Sequence, residues 1–152
     1  MYAIQPNHFP SVTMNSDIDI QAVTEDNLKI FLDLQYLSDV QYGEEFAKQK
    51  TDLLKRQFSE PNIHQVLALY KGKPAGSVEL IAAEETVEID NLFVDVSFRN
   101  KGIGSRLQKY AMEVFPNKTV ILVADGEDTP KDMYRKQNYE YCGFSYEAVK
   151  VY

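Results

Sequence analysis

The segment Arg99-Asn100-Lys101-Gly102-Ile103-Gly104-Ser105 places two glycines at i and i+2 among basic and polar residues. An apolar run, Leu92-Phe93-Val94, precedes it, and an apolar helical period follows. Strand, glycine loop, then helix is an arrangement by which main chain binds phosphate. Glycines let the backbone approach an anion closely. The unpaired N–H groups at the helix start point at that anion, and the helix dipole favours its charge. From Val96 to Met112 there are four basic residues (Arg99, Lys101, Arg106 and Lys109) and no acid. The chain's net charge is −7 from 16 Lys+Arg and 23 Asp+Glu, so twelve bases face twenty-three acids elsewhere, a balance of −11. A cationic island on an acidic chain predicts a bound polyanion.

Three phosphate motifs compete for this segment. The P-loop requires G-x-x-x-x-G-K-[ST], a spacing that does not occur here. The dinucleotide fingerprint requires a third small residue for close helix packing, and that position is Leu107. The acyl-CoA motif, Arg/Gln-x-x-Gly-x-Gly/Ala after a strand, matches Arg99 to Gly104 at every defined position. A chance G-x-G at a helix start in an unrelated phosphate-binding α/β domain is the alternative.

With this motif and the strand before it, the sequence resembles the GNAT superfamily of acyl-CoA-dependent N-acetyltransferases over roughly Ile18–Tyr152. The resemblance implies acetyl-CoA as acyl donor. It implies a mixed, mostly antiparallel central sheet, splayed between the family's fourth and fifth strands and flanked by about four helices. Backbone N–H groups of Asn100, Lys101, Gly102, Ile103, Gly104 and Ser105, after Arg99, would hold the CoA pyrophosphate. Main-chain groups around Leu92, Phe93 and Val94 would line the pantetheine and thioester. Tyr134-Arg135-Lys136-Gln137-Asn138-Tyr139 is similar to the family's Tyr-x-x-x-Gly-Phe, with Asn138 for glycine and Tyr139 for phenylalanine. Asn is the best non-glycine residue for a left-handed helix cap. The match makes Tyr134 the candidate acid that protonates the departing thiolate, since a phenol with pKa about 10 is a suitable donor to a thiol leaving group. Glu88, six residues before Val94 on the same strand, is the candidate base. Asp90, Asp125 or a water-mediated base are alternatives, and Asp90 shares the face of Glu88 unless a bulge intervenes.

The acceptor is left open between a small amine and a protein amine. From Pro74 to Phe98 there are six acids and no base, a stretch suited to attracting a cation. Tyr36, Tyr42 and Phe46 would lie near an acceptor bound beside the first helices, where aromatic faces can hold a cation; packing in the core is the other explanation for Tyr36 and Phe46. A non-catalytic acyl-CoA-binding module would keep the glycine loop and need neither acid nor base.

These groups need elements to hold them. Alternation over Ile18–Val23 predicts a strand. Thr24 before Glu25 and Asp26 predicts a helix start. A second helix is expected over Glu44–Phe58. Gln65–Tyr70 and Ala75–Ile81, joined at Lys71-Gly72-Lys73-Pro74, form a predicted hairpin, and Thr86–Val94 adds a third strand. Ile103, Leu107, Tyr110, Ala111 and Val114 recur at helical spacing. Thr119–Ala124 reads as a buried strand, Pro130 as the first position of a helix, and Tyr139–Val151 as closing strand. Residues 1–16 are expected to form an irregular arm.

At 152 residues and 17.4 kDa the chain suits a single N-acetyltransferase domain. With 44% hydrophobic and 26% charged residues, wholesale disorder is excluded. A pI near 4.8 argues against a general nucleic-acid partner. No run reaches the about 20 apolar residues that span a bilayer, so no membrane partner is expected. The simplest compartment is cytoplasmic, which the lone Cys142 suits. No metal-ligand cluster is spaced for binding. A homodimer using the closing strand Tyr141–Tyr152 is open.

Overall fold

The computed structural model describes residues 1–122 and 137–141. In chain order the elements are β1 (Tyr2–Ile4), β2 (Ile18–Ala22), α1 (Leu28–Asp39), α2 (Glu44–Gln57), β3 (Ile63–Tyr70), β4 (Lys73–Ala82), β5 (Thr86–Val94), α3 (Ile103–Val114), β6 (Thr119–Leu122) and β7 (Glu140–Tyr141). The described strands form one seven-stranded sheet in the order β2-β3-β4-β5-β6-β1-β7. Every pairing is antiparallel except β5 with β6, which are parallel. Parallel neighbours need a crossover, and α3 supplies it. This is a mixed α/β fold with a mostly antiparallel sheet and, among the described residues, three α-helices. The expected helix at Pro130 lies outside the described residues.

The hairpin turns where its sequence demands. Lys71 and Gly72 both have positive φ, at 51° and 81°, as a two-residue turn between twisted antiparallel strands requires. The first helix starts later than expected. Thr24 Oγ1 accepts from the Asp26 N–H at 3.2 Å and the Thr24 N–H donates to Asn27 Oδ1 at 2.7 Å. These bonds close a separate turn, and α1 begins only at Leu28. In α2, Glu44 and Glu45 occupy the first turn and Lys55 and Arg56 the last, complementing the dipole.

The two faces of the sheet carry different layers. On one, α3 buries Ile103, Leu107, Ala111 and Met112 against Val66, Val78, Leu80, Val87 and Ile89. On the other, Phe31 and Leu32 of α1 pack with Leu54 of α2. The irregular-arm expectation for residues 1–16 fails at its start. Tyr2–Ile4 is a buried strand inserted between β6 and β7, with Tyr2 opposite Leu122 and Tyr141. Three residues are too few to show alternation, and the partners lie more than a hundred residues away. No described helix is long and apolar enough to cross a membrane.

Candidate functional site

Among the described residues β5 pairs with β6 from Thr86↔Thr119 to Ile89↔Leu122, and its pairing with β4 runs on to Val94↔Gly76. A β-bulge interrupts that second ladder: Ser77 faces Phe93 and Glu79 faces Asp90, so Val78 alone spans Asn91 and Leu92. Asn91 there has φ 53°. The extra residue switches the parity of β5. Before the bulge, Val87 and Ile89 face the α3 layer; after it, Leu92 and Val94 do. The family's fourth strand, counted without the N-terminal β1, is β5; the chain that follows Leu122 of β6, where the expected splay would show, lies outside the described residues.

The loop after β5 is built to expose N–H groups. Asp95 Oδ1 accepts from the Ser97 N–H at 2.8 Å, fixing the exit from the strand. Arg99 Nε reaches back to the Val94 carbonyl at 3.4 Å. Asn100 and Gly102 have φ of 66° and 86°. Alternating hand in a loop turns its N–H groups toward one side. Gly102 is the N-cap of α3, and among the described residues no side chain caps that helix. Its first-turn N–H groups are therefore left for a ligand.

A cleft of about 640 Å³ lies over this loop. Leu92, Val94, Arg99, Asn100, Gly102, Ile103, Gly104 and Ser105 line it, so eight of the ten residues predicted to bind cofactor meet there. Phe93 does not, because the bulge leaves it on the opposite face from Leu92 and Val94. Lys101 lines an adjoining cavity of about 360 Å³ with Phe9–Thr13, Asn15 and Gln137. Its ammonium lies 5.2 Å from the centroid of the Tyr70 ring, which packs on Phe98 at 5.8 Å. Phe98 and Gln108 also line the main cleft and are absent from the prediction. Gln108 is a buried polar residue in the apolar stripe of α3, one turn after Gly104, and it accepts from Tyr139 Oη at 2.8 Å. A polar residue in that stripe is the signal that could have found it.

An acyl-CoA fits this chemistry. A Cβ at Gly102 would meet nothing within 4 Å, and one at Gly104 only Val94 Cγ2 at 3.8 Å. Among the described residues no atom demands either glycine through packing; the left-handed φ of Gly102 itself favours glycine, and both leave the surface of the cleft bare for a close-lying anion.

The candidate acid Tyr134 and the alternative base Asp125 lie outside the described residues. Glu88 is half-buried on β5, opposite Ile81 of β4 and Ile121 of β6. It is paired there with both neighbouring strands and does not line the cleft. Asp90 shares its face, since the bulge falls after Asp90. Asn138 has φ 71°, the left-handed geometry expected of it, and its side chain donates to the His8 carbonyl at 2.8 Å. Phe46 is exposed rather than core, and its ring meets that of the exposed Tyr42 edge-to-face at 5.9 Å.

Behind the bulge, on the α1–α2 face, lies a buried polar cluster. Glu79 is completely buried and accepts from Gln65 Nε2 and Asn91 Nδ2, each at 2.9 Å. Burial pushes its carboxyl above the ordinary glutamate value; the Gln65 and Asn91 bonds and the Lys50 charge oppose this, and Asp90 adds to it. Asp39, at the end of α1, is likewise raised by burial against the opposing charge of Lys50.

The sequence profile of the Acetyltransferase (GNAT) family matches residues 31–144. No curated protein matches the sequence. Among solved structures, a functionally unknown conserved protein from Staphylococcus epidermidis is similar at 32% identity over 93% of this chain, with a TM-score of 0.83. The chain spans only 56% of that protein's length. An aminoglycoside acetyltransferase from an uncultured soil metagenomic sample, in complex with sisomicin, shares the fold at 20% identity, over 86% of this chain and 95% of its own, with a TM-score of 0.67. So does a predicted acetyltransferase with acetyl-CoA from Clostridium acetobutylicum, at 10% identity, 83% and 92% coverage and a TM-score of 0.64.

Proposed function

Because the chain belongs to the acetyltransferase (GNAT) family, we propose that it moves the acetyl group of acetyl-CoA to a primary amine by direct attack within a ternary complex. The observation that supports this most is the bare glycine cradle: at the start of α3 a Cβ on Gly102 would meet no described atom within 4 Å and one on Gly104 only Val94 Cγ2 at 3.8 Å, in the same cleft as Leu92 and Val94. When bound, acetyl-CoA supplies an activated thioester. The chain's own residues do the rest. N–H groups from Asn100 to Ser105 bind the pyrophosphate, and the cationic island offsets its charge. β5 main-chain N–H groups polarise the acyl oxygen, and the cleft holds donor and acceptor in line.

Across the reaction an N–C bond forms and the C–S bond breaks. The amine gives up a proton and the sulfur takes one. Tyr134 is the proposed donor to sulfur. Glu88 or Asp90, sharing a face of β5, is the proposed receiver of the amine proton, directly or through water. The acids between Pro74 and Phe98 would draw a cationic acceptor toward the site, and the exposed Tyr42–Phe46 pair offers it aromatic surface.

A thermal-shift comparison of acetyl-CoA, ATP and NAD tests the donor. Acetyl-CoA alone should raise the melting temperature. A panel of amines scored by free thiol release then tests transfer. No stabilisation at saturating acetyl-CoA would remove the proposal, and tight binding without thiol release from any amine would reduce it to a binding module.

A further inference from the structure

Asn91 holds a left-handed conformation within a strand, at φ 53°. A non-glycine residue there is strained and persists only where its surroundings hold it. Its surroundings engage every polar group it has. Asn91 Nδ2 donates to Glu79 Oε1 at 2.9 Å, and Lys50 Nζ donates to Asn91 Oδ1 at 2.9 Å. The Asn91 N–H donates to Asp90 Oδ1 at 3.0 Å, and its carbonyl accepts from Gln35 Nε2 at 3.2 Å. A second layer holds the first. Gln35 Nε2 also donates to Ser77 Oγ at 2.8 Å, and Gln65 Nε2 ties Glu79 Oε2 to the Leu54 carbonyl. Gln57, with its amide nitrogen toward Glu79, reaches both carboxylate oxygens at 2.9 and 3.1 Å. Residues from α1, α2, β3 and β4 therefore converge on one bulge residue.

The direction of the following N–H groups depends on that bulge. The Asp95 N–H donates to the Ala75 carbonyl, across to β4, at 2.8 Å. By strand alternation the Phe93 N–H also points at β4, while those of Leu92 and Val94 point to the other edge of a strand whose Leu92 and Val94 line the cleft. Slipping the chain by the one bulged residue would exchange these directions. A preorganised donor is worth most in a water-poor site when its aim is fixed before reaction.

We propose that Glu79 and Lys50, acting through Asn91, are positioning residues that fix the aim of the Leu92 and Val94 N–H groups at an acyl thioester carbonyl. The proposal rests on the acetyl-CoA reading above and assigns a task to a cluster that never touches the ligand. It joins the two helices on the acceptor side of the sheet to the strand on which the donor would lie.

The test reads the bond being polarised. Isotope-edited infrared spectra of carbonyl-13C acetyl-CoA, bound to the full chain, report the thioester C=O stretch. Calorimetry on the same samples gives Kd. Asn91→Gly keeps the left-handed conformation without strain and removes both side-chain anchors. Lys50→Met keeps the aliphatic stem and removes the ammonium, and it carries the test if Asn91→Gly does not fold. The wild-type protein should lower the stretch on binding. Both variants should bind within about threefold of wild type, since the pyrophosphate loop is untouched, yet lose half or more of the shift. A full shift in a folded variant overturns the proposal. So does loss of shift that only parallels loss of binding, the mark of a merely structural role. If the wild-type protein itself fails to bind acetyl-CoA, the donor reading falls, and the proposal falls with it.

Discussion

Gly76 lies so close to Phe93 that a Cβ on the glycine would stand 2.9 Å from the Phe93 carbonyl oxygen. The same Cβ would meet Ile103 Cγ2 at 3.1 Å and Leu107 Cδ1 at 3.4 Å. Gly76 pairs with Val94, so this contact is where α3 sits down on the strand end that forms the cleft floor. A main-chain oxygen in a ladder cannot step aside as a flexible side chain can. Gly76→Ala should therefore destabilise the fold by about 1–3 kcal/mol through overpacking. Urea unfolding of the two proteins measures it; an unchanged midpoint would show that α3 can lift without cost.

Gly104 presents the opposite case. A Cβ there meets only Val94 Cγ2, at an ordinary 3.8 Å, and the cleft lies beyond. Gly104→Val should leave the unliganded protein within about 1 kcal/mol of wild type, since glycine is itself a poor helix former. It should abolish the melting-temperature rise given by acetyl-CoA, because the branched side chain fills the space an anion needs. A thermal shift of wild-type size in this variant would place the pyrophosphate elsewhere.

Tyr134→Phe removes one oxygen. If the phenol protonates the leaving thiolate, kcat should fall by about 100-fold or more, while the Kd for acetyl-CoA stays near wild type. Single-turnover thiol release with an amine found in the panel, set beside calorimetric Kd values, separates the two. Equal turnover in the variant would take Tyr134 out of the mechanism.

What the sequence made legible here was local. Arg99 to Ser105 are neighbours in the chain, and their phosphate-binding geometry follows from two glycines between a strand and a helix. The bulge too leaves a trace in sequence: apolar residues at Val87 and Ile89 give way to Leu92 and Val94, a change of parity that a regular strand cannot make. The cluster behind it was not legible. Gln35, Lys50, Gln57, Gln65 and Glu79 come from four elements, and each taken singly reads as an exposed polar residue. Only the pairing of β3 with β4 and the crossing of α1 and α2 over that face bring them to Asn91. Tyr2–Ile4 was missed for a related reason, since its burial comes from two distant strands rather than from its own pattern. The late start of α1 came from a competing local bond, in which the Asn27 side chain accepts from the Thr24 N–H and makes no cap bond to the helix.

The raised carboxyl of Glu79 gives a pH test with a definite sign. Below the ordinary glutamate range the group is neutral in both folded and unfolded chains, and no charge is buried. As pH rises, the unfolded chain releases this proton first, while the folded chain holds it until its own higher pKa is passed. Folding stability is therefore present at low pH and lost as pH climbs through the folded-state value. Asp39, also raised, contributes with the same sign and is common to both proteins compared. Glu79→Gln removes the Glu79 part: the amide has no proton to lose, and Gln57 can turn its own amide to complement it. Urea midpoints of wild type and Glu79→Gln, taken from about pH 4 to pH 8, should diverge, the wild type losing stability relative to the variant as pH rises. A difference that stays constant across that range would mean that Glu79 has the same proton affinity folded and unfolded, and that its burial carries no electrostatic cost.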